Sequence, residues 1–278
     1  MRYLVIFCGL LISCASYREI DFKDREHGAI TGSEFYKRSS SHAWKLRDSL
    51  AVTEILNGNV PDFMRKFVAI QTAVESDQGK IIKATYYVSP DYLSIGSDDD
   101  WARIPLTPMA AQAIADTLHC FLPTRKIVDD IYQHARVKLE PVAMFAFRDS
   151  TPTMYQHHLM IEGLRKQRSG MIAGIKKDVV ISGKVSRAGL SVKNTNNGTR
   201  DTRPNRVAIY GWHKPDAKAI QPLYTGHVNW YVDYSHGIRL VYRRIKVDGK
   251  WMDYTDVLKD PVLQKLICDE DHCDFYRY

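Results

Sequence analysis

The sequence predicts an α+β protein, with a helical N-terminal half packed against a mainly antiparallel sheet in the C-terminal half. Three observations lead there. Before Gly170, apolar residues recur at helical spacing in stretches with recognisable caps, whereas after it short β-branched and aromatic runs separated by turn residues dominate. No apolar run reaches the ~18 residues of a spanning helix, the longest being Tyr3 to Ser13. A length of 278 residues, 45% hydrophobic and 26% charged, allows a sizeable buried core and excludes disordered and fibrous architectures.

The elements follow in order. Residues 1–13 read as a leader, 14–41 as a polar, charge-rich tether, and 42–278 as a single domain. Ser39, Ser40 and Ser41 offer caps for a helix to Leu56, which Asn57-Gly58-Asn59 stops. Pro61 starts a short helix through Phe67, and two strands, Val68 to Glu75 and Lys80 to Val88, follow around a Ser-Asp-Gln-Gly turn. Asp98, Asp99 and Asp100 lack the alternating oxygen spacing of a calcium loop and read as a solvated turn before a strand from Trp101 to Leu106. Helices are predicted from Thr107 or Pro108 to His119, from Thr124 to Arg136 and from Thr153 to Arg168. Strands follow at Val179 to Ile181, Val207 to Tyr210, Val228 to Tyr234 and Ile238 to Val247, with a hairpin turn at Asp248-Gly249 and a last short helix from Asp260-Pro261. The segment Lys193 to Asn205, dense in Asn, Thr, Arg and Gly, reads as a long exposed loop of the kind that borders a site.

The first fourteen residues place one basic residue, Arg2, before a short apolar segment that ends Leu11-Ile12-Ser13-Cys14. This ending resembles the bacterial lipobox. The resemblance implies export, cleavage before Cys14 and a diacylglycerol on its sulfur, so that the membrane is a partner through a lipid anchor facing the periplasm or cell surface. Ala15, where proteobacterial lipoproteins of the inner membrane carry Asp, implies the outer membrane. Loss of Arg2 lowers the net charge from +7 to about +6. Lys and Arg are scattered among acids rather than gathered in a stripe, which argues against nucleic acid as a partner. Of five cysteines, Cys120, Cys268 and Cys273 remain after the leader and anchor are set aside. Cys268 and Cys273 enclose four residues and are spaced for a disulfide in an oxidising compartment; Cys268, His272 and Cys273 are the alternative as metal ligands. Cys120 is then either a buried thiol or a nucleophile.

Phosphate loops, dinucleotide fingerprints, paired CxxC, HExxH and GxSxG are all missing, which argues against nucleotide-driven chemistry. What stands out is residues 210 to 239, where His213, His227 and His236 gather with Asp233, Tyr234 and Arg239. An Asp beside a His fixes the imidazole tautomer and raises its basicity, as acid/base work requires. Arg239 is suited to a carboxylate or an oxyanion. His213, His227, Asp233 and His236 are also zinc ligands by type, which leaves zinc open as a cofactor. Trp212, Trp230, Tyr231 and Tyr234 can stack on a substrate, and Lys177, in Lys176-Lys177-Asp178, can hold an anion or form a solvated pair. His157-His158 point about 100° apart on their helix, so that one can face a site while the other faces solvent.

Ser235-His236-Gly237-Ile238-Arg239-Leu240 resembles the Ser-His-Gly-Cys-Ile-Arg-Leu signature of the L,D-transpeptidases, which cross-link peptidoglycan through a cysteine acyl-enzyme. No cysteine stands between Gly237 and Ile238 here, so that family's nucleophile is missing at this position. Gly226-His227-Val228 is similar to the catalytic histidine strand of papain-like cell-wall peptidases, in which the cysteine also precedes the histidine, as Cys120 does here. The zinc peptidases that trim D-Ala-D-Ala ends use an ordered His, Asp and final His; in this sequence His213 comes before rather than after. The expectation is therefore an exported, lipid-anchored cell-envelope hydrolase or transferase acting on peptidoglycan or a related glycan, with His213, His227, Asp233 and His236 as the acid/base or metal cluster. The competing expectation is a non-catalytic envelope lipoprotein that binds a glycan or protein through its aromatic surface.

Overall fold

A computed structural model of the chain describes residues 17–187 and 205–278. Cys14 and nearly all of the Lys193 to Asn205 loop lie outside the described residues. The chain opens with β1 (Tyr17–Glu19), α1 (Gly32–Arg38) and α2 (Trp44–Leu56). A 3-10 turn at Asp62–Arg65 leads into a hairpin of β2 (Lys66–Glu75) and β3 (Ile81–Val88), followed by a small hairpin of β4 (Ser94–Gly96) and β5 (Trp101–Arg103). Then come α3 (Pro108–Thr117), β6 (Cys120–Phe121), α4 (Arg125–His134), β7 (Val137–Lys138) and α5 (Thr151–Arg165). The later part supplies β8 (Ile172–Ala173), β9 (Lys177–Val180), a short α6 (Gly183–Arg187), β10 (Arg206–His213), β11 (Ala219–Val228), β12 (His236–Gly237) and β13 (Val241–Tyr242). It closes with β14 (Arg244–Val247), β15 (Lys250–Asp253), α7 (Tyr254–Lys259) and a 3-10 turn at Leu263–Leu266.

The class is α+β. All the longer helices precede residue 166, and they pack with two main sheets into one large core. The larger sheet runs β1-β2-β3-β13-β6, with β14 also on β3 and β15 on β14. The second sheet has the order β11-β10-β9-β12 and is antiparallel except where β12 runs parallel to β9. No described helix is long and apolar enough to cross a membrane.

Local chemistry explains the helix starts. The Thr107 hydroxyl accepts Ala110 N–H at the head of α3, Thr124 accepts Ile127 N–H at the head of α4, and Ser150 accepts Thr153 N–H at the head of α5, each filling one orphan donor of a first turn. On α4, Ile127, Val128, Ile131 and Tyr132 turn inward as their spacing predicts.

Three expectations change. Residues 17–41 are not a tether: β1 pairs with β2, and Ile20, Phe22, Phe35 and Tyr36 are core residues. Thr31 starts α1 with a reciprocal capping box to Glu34, a signal hidden by the charged composition around it. The serines do not cap α2, which begins after Ala43 without a side-chain cap; Ser39 instead bonds back to Phe35 O at the end of α1. The predicted strand Val228 to Tyr234 does not form: β11 ends at Val228, whose carbonyl accepts Tyr231 N–H in a turn, and Asp233 then binds the Ser235 amide and hydroxyl in a second turn.

Candidate active site

The site is set by the register of the four-stranded sheet. Lys177 on β9 lies opposite Gly211 on β10 and His236 on β12, while Val207 on β10 lies opposite His227 on β11. Side chains alternate along a strand and directly paired residues share a face, so Lys177, His227 and His236 fall on the same face. Their approach is completed by the turn after β11. There Lys177 N–H donates to Ser235 O at 2.7 Å and Tyr234 N–H to Arg148 O at 2.9 Å.

Asp233 is the centre of the cluster and is buried. One carboxylate oxygen accepts the Ser235 amide at 2.8 Å and the Ser235 hydroxyl. The other accepts Arg148 Nη2 at 3.0 Å and the Tyr231 hydroxyl at 3.3 Å. Burial pushes this carboxyl up, but the neighbouring His236, the two Ser235 donors and Lys177 outweigh it and hold it down at about 2. Around this anion lie three rings: His227 and Tyr231 with centroids 4.7 Å apart, His227 and His236 at 5.9 Å, and Tyr231 and His236 at 6.0 Å.

Each ring is held in a neutral state. Burial lowers His236 to about 4 against the pull of Asp233, and burial also lowers His227. Burial and then Asp233 push the Tyr231 phenol up to about 12. His236 Nε2 is 4.0 Å from Asp233 Oδ1, beyond hydrogen-bond reach, and has no hydrogen-bond partner among the described residues. A buried, unpaired imidazole nitrogen costs free energy unless a ligand or the reaction uses it.

Lys177 supplies positive charge. It is only 7% exposed, it forms no ion pair with a carboxylate among the described residues, and its ammonium lies 4.7 Å from the centre of the Trp212 ring. Burial lowers its pKa. The Trp212 Nε1–H is also buried, with no hydrogen-bond partner among the described residues. Behind the turn, Lys176 donates to Tyr234 O and lies 3.0 Å from His157 Nδ1. Burial, then Arg103, lowers Lys176 to about 7, and burial, then Lys176, lowers His157 to about 2.

His213 does not join the cluster. Gly211 and Trp212 both have positive φ, +115° and +61°, which reverses the alternation. His213 thereby falls on the same side as Tyr210, and both bond Asp129 of α4, His213 Nε2 at 2.8 Å and the Tyr210 hydroxyl at 2.9 Å. His213 stacks on Tyr132 there, with centroids 4.5 Å apart, while Trp212 is turned toward Lys177. The expected zinc set of His213, His227, Asp233 and His236 is therefore not assembled, and among the described residues no three metal-ligating side chains of the His, Cys, Asp or Glu type come together.

Arg239 does not hold a free anion. It is fully buried, donates to Ser89 O at 3.0 Å and Ile172 O at 2.8 Å, and lies over Tyr92, where it braces the fold. Burial raises the nearby Asp178 carboxyl to about 6, although Arg239 opposes this. Tyr234 is buried as well, its hydroxyl accepting Met144 N–H, so of the expected stacking residues Trp230, 45% exposed, is the open one. Lys176, Lys177 and Asp178 form no solvated pair, and His157 and His158 are both buried, the latter beside Arg103 and Trp101. Cys120 sits in the core on β6, its thiol pushed well up by burial. Cys268 and Cys273 form a disulfide. Beside it a cleft of about 190 Å³ lies against α6, but its Arg125 and Arg187 are already paired with Asp269 and Asp274.

Sequence reasoning missed two members of the site. Arg148 comes from the loop before α5, and nothing in its local sequence ties it to Asp233. Tyr231 reads in the sequence as a stacking aromatic, whereas its hydroxyl bonds Asp233. The fold and site together define an α+β protein with a histidine, tyrosine and aspartate cluster beside a lysine that forms no ion pair among the described residues. Comparison of the chain with protein-family models, with curated proteins and with solved structures gives no match.

Proposed function

We propose that the protein is an exported, lipid-anchored hydrolase or transferase of the cell envelope, acting on peptidoglycan or a related glycan that bears carboxylates. The observation that carries this reading is the convergence of His227, Tyr231 and His236 on buried Asp233, with Lys177 beside them. In the proposed chemistry a neutral His227 or His236 takes a proton from water or a substrate hydroxyl, and Asp233 stabilises the imidazolium that results. That imidazolium then returns its proton to the leaving group, while the Tyr231 hydroxyl, which donates to Asp233, holds the carboxylate in place. Lys177, with the Trp212 indole N–H, receives a substrate carboxylate. Water is the fitting nucleophile: the Ser235 hydroxyl is buried and already donates to Asp233, and Cys120 is in the other sheet.

Release of soluble fragments from purified sacculi tests the proposal. The wild-type protein should release them, and His227→Ala and His236→Ala should each lower the rate by about 10²- to 10⁴-fold; equal release by the variants would end this reading. A non-catalytic glycan-binding reading is favoured by exposed aromatics flanking the cluster, Trp230 and, on the Arg148 loop, Phe145 and Phe147 at 93% and 82% exposure. Sacculus binding without any turnover, abolished in Trp230→Ala, would select it.

A further inference from the structure

The seven-stranded sheet has two different faces. Ile70, Tyr86, Val88 and Val247 turn inward to the core. On the other face the register sets Ala69 against Tyr87, Gln71 against Thr85, Ala73 against Lys83, and Lys246 against both Thr85 and Trp251. Gln71, Ala73, Lys83, Lys246 and Trp251 are exposed there, so this part of the face is open to solvent; toward β6 Arg18 and Tyr242 are half-buried and pair with buried Phe67 and Cys120.

Its chemistry is aromatic and basic. Arg18 on β1 lies 3.7 Å from the centre of the Tyr242 ring and 5.4 Å from that of Trp251, and Tyr87 stacks on Trp251 at 6.3 Å. Lys83, Arg244 and Lys246 flank these rings. Of the carboxylates on this face, Glu75 is at the far end of β2 and Asp253 is held by Arg243. Amphipathic rings with basic neighbours suit the headgroup layer of an anionic bilayer.

Chain length says what covers this face. Ala15 and Ser16 alone separate Cys14 from Tyr17, where β1 begins, and three extended steps of the chain span at most about 11 Å. We infer that the Arg18, Tyr87, Tyr242 and Trp251 face rests on the anionic membrane in which Cys14 is anchored. This rests on the reading of Cys14 as a lipidated residue. The consequence is an orientation: the domain lies on the bilayer by one sheet instead of standing off on a tether.

The test uses the full lipidated protein, taken from host membranes and reconstituted into phosphatidylglycerol and phosphatidylethanolamine vesicles with brominated acyl chains. Intact mass first reports the modification of Cys14. Tryptophan emission should be quenched by the brominated lipid, and the part of the quenching that is missing in Trp251→Phe belongs to Trp251. That part should be largely lost in the exposed pair K83E/K246E, with the circular dichroism unchanged. A diacylated Cys14 with Trp251 unquenched overturns the orientation and leaves the anchor standing. An unmodified Cys14 overturns both, since the length constraint disappears. A Trp251 emission shift on adding soluble sacculus fragments, with no quenching by lipid, overturns it in favour of a glycan surface.

Discussion

Asp233 shows how much a single residue organises here. It turns the chain ahead of β12 by capturing Ser235, draws in Arg148 and the Tyr231 hydroxyl, and keeps its charge beside two neutral imidazoles. Asp233→Asn keeps the shape but removes the charge, so sacculus turnover should fall by about 10²-fold or more while the fold survives. Steady-state rates and circular dichroism on the same preparations check this. The histidines also tie stability to pH. Folding lowers His236 from 6.5 to about 4 and His157 to about 2, so the unfolded chain binds these protons first on acidification. Their contribution is complete above pH 6.5 and is lost as the pH falls through 6.5 toward 4 for His236 and further for His157. Asp178, raised to about 6, works in the opposite direction, because it favours the fold below 3.8 and loses that contribution as the pH rises through 6. The two histidines have the larger combined shift, so urea midpoints should drop between pH 6.5 and 4, and His236→Gln should flatten that slope. At this scale the sequence displayed the His and Asp residue types but not their partners: Arg148 is 85 positions from Asp233 and meets it only through folding.

Among the elements, the parallel pairing of β12 with β9 is what sets His236 beside Lys177. Gly237 permits it: a Cβ there would stand 2.4 Å from Tyr92 Cδ1 and 2.8 Å from Lys176 Cβ. Gly237→Ala should therefore cost roughly 1–3 kcal/mol and abolish turnover by forcing β12 off β9, measurable as a urea shift together with the sacculus assay. The Cys268–Cys273 disulfide closes a short loop against α6, with Gly183 packed under His272 O. By loop-closure entropy its removal in Cys273→Ala should destabilise the fold by about 2 kcal/mol, read from equilibrium unfolding. Helices α3, α4 and α5 were legible because caps and 3.6-residue spacing are local signals. The segment from Val228 to Tyr234 reads as a strand because β-branched and aromatic propensity does not register two successive turns, one closed by Val228 O and Tyr231 N–H and one by Asp233 on Ser235.

At the scale of the whole molecule, the segment 17–41 gives the plainest contrast between composition and structure. Its charge density reads as a tether, yet Ile20 and Phe22 are 6% exposed and complete the core beside β2. Phe22→Ala should destabilise the protein by roughly 3–5 kcal/mol, whereas the same change in a tether would leave the urea midpoint unmoved. The sequence by itself determined the α+β class, the major helices, the β2–β3 hairpin, and the pairing of Cys268 with Cys273 as one of its two readings. These follow from periodicity, capping and short-range spacing, which are properties of neighbours in the chain. Only the tertiary structure decided which of those residues meet. Positive φ at Gly211 and Trp212 sends His213 to Asp129 and turns Trp212 toward Lys177, and sheet register brings Lys177, His227 and His236 onto one face. The physical reason is that a strand's two faces differ by a single residue step, so one local reversal of the backbone moves a side chain from one side of the sheet to the other.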